Sequence, residues 1–411
     1  MRNILLETGL LLAVMAAAAG ALWPSVKNDF VWDDAIYVSG NPLIRDLSPG
    51  GIKRIFAGTH YGLYKPASIV TLALNYRYCG LDPAPYRITN IALHAANAGL
   101  AFALILLLTQ NTAAAFICAL LFGVHPLRVE SVAWVSERKD VLYALFFLLS
   151  SVFYAAYVKN RSRIRYIAAL VCFGVSLTAK PMGITLPAVL FVYDYLLGRQ
   201  FDKRLLPEKL PYILVAGAFG LWTYFLLGSA NQFKSGYSLS DRIFFVFYGL
   251  KFYAVKLFYP VRLSAIYPFP ARNGGALPLD YLLSPALVLG VLLLAVKRFH
   301  REKPLMAGLA FYIIAVAPAL QFFPSGQAVT ADRYSYIPSL GLFLPVAVYA
   351  ERLLRNLRAR NIKFAVIAAA CMAALAATLF FAARARCRVW HDNLALFSDA
   401  ACKYPDISTS K

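Results

Sequence analysis

Acidic residues are scarce in this chain: Asp and Glu number 20 against 41 Lys and Arg, and charged residues of both signs fill only 15% of 411 positions. A soluble domain is about a quarter charged. At 60% hydrophobic residues and a mean hydropathy of +0.61, this chain has too little polar surface to close over a water-soluble core. Cysteine is thin as well. None of the six stands in a C-x-x-C spacing, and Cys118, Cys172 and Cys371 fall in apolar runs. That excludes a zinc framework or a disulfide scaffold. The net charge of +21 is not the footprint of a nucleic-acid binder, because the basic residues gather in short loops instead of along a stripe.

What is present is a series of apolar runs of membrane-spanning length. The opening MRNILLETGLLLAVMAAAAGALWP has the basic start and small residues of a signal peptide. Trp23 and Pro24 nevertheless suit an interfacial stop, so the run reads as a first transmembrane helix. Four loops are densely basic: KNRSRIR (159–165), GRQFDKRLLPEK (198–209), KRFHREK (297–303) and ERLLRNLRARNIK (351–363). The positive-inside rule places all four in the cytoplasm. Eleven spans satisfy that constraint, near 4–24, 88–108, 112–125, 140–158, 165–179, 182–197, 210–230, 281–296, 304–322, 337–352 and 363–383. The segment 243–260 is apolar but contains Lys251 and Lys256. As a span it would put KRFHREK outside, so it is expected along the outer interface. The expected class is an all-α polytopic membrane protein, with residues 25–87 as a long first external loop and 384–411 as an external carboxyl-terminal segment.

With that topology, the unusual charges collect on the outer face: Asp33, Asp34, His60, Lys65, His125, Glu130, Glu137, Arg138, Lys139, Asp140, Lys180, Asp332 and Arg333. Each has a plain reading. Asp33 and Asp34 suit a helix N-cap, Lys180 a snorkelling lysine, Arg333 a helix-end anchor and His94 a packing residue. Together they describe a carboxylate pair opposite several cations, the set needed by a reaction with a general base and an anionic phosphate leaving group.

Six segments in order then carry a resemblance. They are FVWDD (30–34), KPASIVTLALNY (65–76) with GLDPAPYRITNIALH (80–94), HPLRVESVAWVSERKD (125–140), AKPMGITLPAVLFVYDYL (179–196), ADRYSYIPSLGLFL (331–344) and VWHDNLALF (389–397). Through them the chain resembles the transmembrane-and-TPR-repeat O-mannosyltransferases of the GT-C glycosyltransferase superfamily. The resemblance implies a GT-C transmembrane domain over 1–383, with interfacial helices in the first external loop and near 243–260. It implies a catalytic acid at Asp33 or Asp34. Donor-phosphate or substrate contacts map to Arg138, Lys180, Arg333, Asp140, His125, Lys65 and Tyr336. Pro181 and Met182 depart from the acidic and polar residues of the family pattern around Lys180. Such proteins continue into TPR repeats. Here WHDNLALFSDAACKYPD reads as the start of one, and no repeat of about 34 residues is present, so the chain is expected to be either a membrane domain or a short homologue.

The implied activity is inverting transfer of a sugar, mannose by resemblance, from a polyprenyl-phosphate donor to an acceptor hydroxyl, with Ser or Thr of a protein as acceptor. Which aspartate is the base stays open at this level, with a preference for Asp34 because it lies one residue farther from the first helix. No cofactor is expected, although the pair could hold a divalent ion. The expected location is a bacterial inner membrane with the site facing the periplasm, which the sole N-x-S/T sequon, Asn160-Arg161-Ser162 in a cytoplasmic loop, accommodates. Two other readings are a same-fold transferase acting on a lipid or polysaccharide, and a carrier or flippase for lipid-linked sugars. A carrier would place essential charges at mid-membrane.

Overall fold

The computed structural model describes residues 4–59, 62, 64–203, 205–229, 237–272, 276–323, 326 and 328–405. His60 lies outside the described residues. The helices in chain order are α1 (Ile4–Leu22), α2 (Pro49–Ala57), α3 (Pro66–Cys79), α4 (Pro83–Thr109), α5 (Thr112–Val124) and α6 (Val129–Ala133). There follow α7 (Arg138–Asn160), α8 (Arg163–Ala179), α9 (Leu186–Leu196), α10 (Leu205–Ser229), α11 (Leu239–Phe258) and α12 (Leu279–Phe299). The last four are α13 (Lys303–Val316), α14 (Ser339–Arg360), α15 (Ile362–Cys387) and α16 (Asn393–Lys403). Two short strands, β1 (Tyr267–Pro268) and β2 (Ala328–Thr330), pair antiparallel. The protein is an all-α polytopic membrane protein.

Among the described residues six helices are long and apolar enough to cross a bilayer: the one beginning at Ile4, α4, the one ending at Asn160, α10, α12 and α15. The count becomes seven if the bent pair 112–124 and 126–133 is one span. The remaining segments expected to span are helical but shorter or more charged. α4 and α7 form the centre: 67% and 56% of their apolar windows are buried, against 6% in α10 and 11% in α15, whose surfaces are left for lipid.

Local chemistry sets the tight hairpins. Asp82 caps α4 by accepting from the Ala84 N–H at 3.1 Å, with Pro83 at the first helical position. The helix ends at Gln110 with φ 53°, and Asn111 immediately caps α5. Arg161, φ 52°, repeats the device between α7 and α8. Elsewhere the helices meet through small residues. Gly308 of α13 and Gly341 of α14 bring the two backbones into contact, and a Cβ on either would strike the other helix's main chain.

The two ends of the bundle differ in chemistry, as the basic loops foretold. At one end Lys159 donates to Leu107 O (2.7 Å), Arg161 pairs with Glu208 (2.7 Å) and Glu302 pairs with Arg352 (2.8 Å). Lys303 lies over the Tyr195 ring (5.9 Å), which joins KRFHREK to the same end. A buried knot of Asp194, Lys209, Arg199 and the Tyr154 hydroxyl ties α7, α9 and α10 there. The carboxylates and lysines of the external motifs occupy the other end. α11 lies against that second end. Phe245 meets Tyr281 (5.9 Å), Tyr253 Oη accepts from the Ala331 N–H (3.4 Å), and Leu257 O bonds His125 Nε2 (2.9 Å).

Cysteine labelling should therefore divide the loops. Residues 159–165, 297–303 and 351–363 are expected to react from the cytoplasmic side, and residues 45–59 and 392–403 from the opposite side. Reaction of a cysteine at Arg301 from the side of the acidic pair would break this division and make α11 a span.

Candidate active site

The site is built around the segment that follows α1. After a 3-10 turn at Trp23–Lys27 the chain runs extended, and Arg87 of α4 grips it. That guanidinium donates to Asn28 O (2.5 Å), to Asp29 O and to Ala133 O (3.0 Å). It thereby joins the first external loop to the HP…ERKD segment. The segment 125–140, expected as an external loop, is buried except for half-buried Lys139 and is wound into short helical turns, with the Val132, Ala133 and Trp134 carbonyls accepting from Asn90 and Arg87.

The two aspartates face different surroundings. Asp34 is fully buried and accepts from the Val31 N–H (3.0 Å), the Ser136 N–H (2.7 Å) and Ser136 Oγ (2.5 Å). Burial pushes its carboxyl up to about 6, against the Ser136 and Val31 hydrogen bonds and the Arg87 charge. Because the folded value exceeds the ordinary 3.8, ionising Asp34 costs stability; the cost is absent below the lower value and complete above the upper one. Asp33 is only partly buried, and among the described residues its carboxylate accepts no hydrogen bond. Burial raises its pKa, Lys139 opposes most strongly, Glu137 adds to the rise, and Arg333 and Lys65 oppose.

Opposite Asp33 lies a ladder of charges. Glu137 contacts Lys139 (2.9 Å), Arg333 (3.4 Å) and Lys180 (3.8 Å). Lys180 pairs with Asp140, and Arg333 pairs with Glu130. Ser131 Oγ donates to Asp140 at 3.1 Å. Lys65 stands apart: its ammonium sits 3.6 Å over the Tyr37 ring, is buried, and has no hydrogen-bond partner among the described residues. Burial, with help from Lys139, lowers its pKa well below the usual lysine range.

Lys65, Lys139 and Lys180 line one side of a cavity of about 540 Å³. The rest of its wall is largely apolar, with Met182, Ile184, Leu227, Phe322 and Phe323 contributed by the 181–185 turn, α10 and the segment after α13. The cavity thus has a cationic part and an oily part, and α10, the least buried of the long apolar helices, forms one wall.

Three residues expected here are engaged elsewhere. Arg138 is fully buried and donates to Asn90 Oδ1, Asn75 Oδ1 (2.9 Å) and Tyr86 O (2.8 Å), bracing α3 against α4. His125 bonds Leu257 O and the Leu127 N–H (3.2 Å). Tyr336 Oη meets His94 Nδ1 (2.6 Å) and Asn97 Nδ2 (3.1 Å). Their helices hold them in the packed interior. Asp34 accepts one donor on Oδ2 and two on Oδ1, and among the described residues no group of three or more His, Cys, Asp or Glu could hold an ion. Sequence reasoning passed over Arg87 and Asn90. With His94 and Asn97 they form a polar stripe at spacings of three and four along α4, a helical periodicity visible in the sequence.

No family model matches the chain. Similar curated proteins are protein O-mannosyl-transferases. TMTC2 of Homo sapiens is 29% identical over 225 residues, 50% of this chain and 27% of that protein. TMTC1 of Homo sapiens is 30% identical over 205 residues, 44% and 23% of the two chains, and TMTC3 of Mus musculus is 28% identical over 210 residues, 47% and 22%. The match spans about a quarter of the length of these relatives. Among solved structures, ArnT from Cupriavidus metallidurans bound to undecaprenyl phosphate aligns with 98% of this chain and 77% of that one, at 15% identity and a TM-score of 0.42. The resemblance carried by the six motifs is thus matched by similarity to the TMTC proteins over half of the chain.

Two substitutions separate bracing from binding. Arg138→Ala strands buried acceptors on Asn90, Asn75 and Tyr86 and should cost about 2 kcal/mol or more of folding stability. Lys65→Met removes a buried, unpartnered ammonium and should leave the thermal transition unchanged or raised. A Lys65→Met protein melting well below wild type would make that lysine a structural group.

Proposed function

We propose that the chain is a GT-C-type glycosyltransferase domain that moves a sugar from a polyprenyl-phosphate donor to an acceptor hydroxyl on the outer face of the membrane. The observation that carries this reading is the cavity with three lysines on one side and an apolar remainder bounded by lipid-facing α10. A lipid phosphate matches it part for part: the phosphate against Lys65, Lys139 and Lys180, the first prenyl units along Met182, Leu227 and Phe323. The names of the similar proteins support mannose as the sugar and a protein hydroxyl as the acceptor.

Asp33 is the base in this reading. It is the carboxylate with a free coordination sphere, it faces Lys139 and Lys65, and burial keeps its proton affinity above that of an ordinary aspartate. It takes the proton of the acceptor hydroxyl as that oxygen bonds to the anomeric carbon. The bond from that carbon to the phosphate oxygen breaks, the configuration inverts, and the lipid phosphate leaves with the electron pair. The lysines neutralise the charge that grows on it. Asp34, which the sequence favoured as base, is fully buried with three donors on its carboxylate and instead fixes the turn through Ser136. Arg333, itself held by Glu130, acts through Glu137, the acid that contacts both Lys139 and Lys180. A carrier finds no support, because the charged residues gather at the two ends of the bundle.

Asp33→Asn should lose transfer by ~10²–10⁴-fold while still binding donor. In the wild type, transfer should fall as pH drops through the Asp33 pKa, because only the ionised carboxylate accepts a proton. Lys139→Gln removes the largest charge opposing the upward shift, so the acid limb should move to higher pH. Full transfer by Asp33→Asn in a steady-state assay with polyprenyl-phosphate mannose would sink the assignment.

A further inference from the structure

The turn that carries the acidic pair is gripped by a segment that the proposed chemistry does not use. Trp32, directly before Asp33, has φ 52°, the left-handed region that a bulky side chain occupies only under constraint. The constraint comes from α16. The Trp32 N–H donates to Asn393 Oδ1 at 2.8 Å, and the Trp32 ring meets Phe397 edge-on at 5.9 Å. Its flat face stacks on Trp134 (4.6 Å, 7° between planes), which in turn stacks on Trp390 (5.5 Å). Just upstream, the Asp29 N–H donates to His391 O (2.8 Å) and Asn28 Nδ2 to Cys387 O (2.9 Å).

α16 is itself fastened at its far end. Lys403 donates to Leu263 O (2.6 Å), and Asp399 pairs with both Lys403 (2.6 Å) and Arg386 (2.7 Å). The helix therefore presents Asn393 and Phe397, one turn apart, to a single residue from a fixed base. Asp33 makes no side-chain hydrogen bond of its own among the described residues, so its direction is set by the backbone on either side of it. Asp34 is pinned separately by Ser136.

We propose that α16 is a positioning element for the transfer site: Asn393 and Phe397 hold Trp32 in its left-handed turn, and that turn aims the Asp33 carboxylate toward the lysine side of the cavity. This inference rests on Asp33 as the base. Without the Asn393 contact the turn relaxes toward ordinary φ, the peptide between Trp32 and Asp33 rotates, and Asp33 swings while Asp34 stays on Ser136. The donor cavity, lined by other elements, keeps its shape.

The test uses the full chain in detergent with polyprenyl-phosphate mannose as donor, together with amide hydrogen exchange over residues 29–36. Asn393→Ala and Phe397→Ala are expected to lower kcat about tenfold or more, the scale of loss from a misplaced reacting group. The donor KM should be unchanged and exchange at 29–36 faster. Asn393→Asp keeps the acceptor oxygen and should restore both readouts. Phe397→Leu keeps apolar volume, and it replaces Phe397→Ala if that variant unfolds α16. Unchanged kcat, unchanged exchange, or a joint loss of kcat and donor affinity that Asn393→Asp does not rescue overturns the proposal. The exchange readout does not depend on turnover. Active Asp33→Asn with faster exchange in Asn393→Ala removes the base and keeps the grip, whereas inactive Asp33→Asn with unchanged exchange removes the grip and keeps the base.

Discussion

The guanidinium of Arg87 is the constraint on which the site depends. It is buried in the first turns of α4 and collects three backbone carbonyls from two distant stretches, Asn28 and Asp29 after α1 and Ala133 before α7. Carbonyls disposed that way have no strand or helix to join, and left dry each would cost as much as a lost hydrogen bond. One planar five-donor group solves the problem for both stretches and fixes their separation. Ser136 can then reach Asp34, and the residues after it, Glu137 through Asp140, arrive opposite Asp33.

The charges around that junction balance. Asp33, Glu130, Glu137 and Asp140 face Lys65, Lys139, Lys180 and Arg333. Pairing makes most of the cluster tolerable in a poorly solvated place, where isolated ions would be neutralised. Of these four cations, Lys65 lacks an acid at bonding distance among the described residues. It is held by an aromatic face, a weaker partner that an incoming anion can replace.

Much of this was legible in the sequence. Basic loops and apolar runs located most of the long helices to within about five residues, although α14 runs on to Arg360, and the segment 243–260, set apart for its two lysines, is a helix lying against the motif-bearing end. The structure gathers most of the charged residues of the external motifs at one end of the bundle. What the sequence did not separate was atoms within it. Asp33 and Asp34 are adjacent and chemically identical, and only the turn at Trp32 sends one to Ser136 and the other to the lysines. Arg138 carries the same charge as Lys139, yet the start of α7 directs it inward to Asn75 and Asn90. The burial of most of 125–140 was also hidden, because the sequence of an external loop does not show the hydrogen-bond partners that let it be buried.

The contact between Gly308 and Gly341 gives the site a tolerance finer than its own parts suggest. Gly341 lies in the first turn of α14, five residues beyond Tyr336, and the chain between α13 and α14 carries Arg333. Two backbones touching without side chains between them act as a hard stop: the spacing of α13 and α14 is set by main-chain atoms that cannot compress or choose another rotamer. The height at which Arg333 meets Glu130 and Glu137 is thus referenced to a rigid datum inside the bundle.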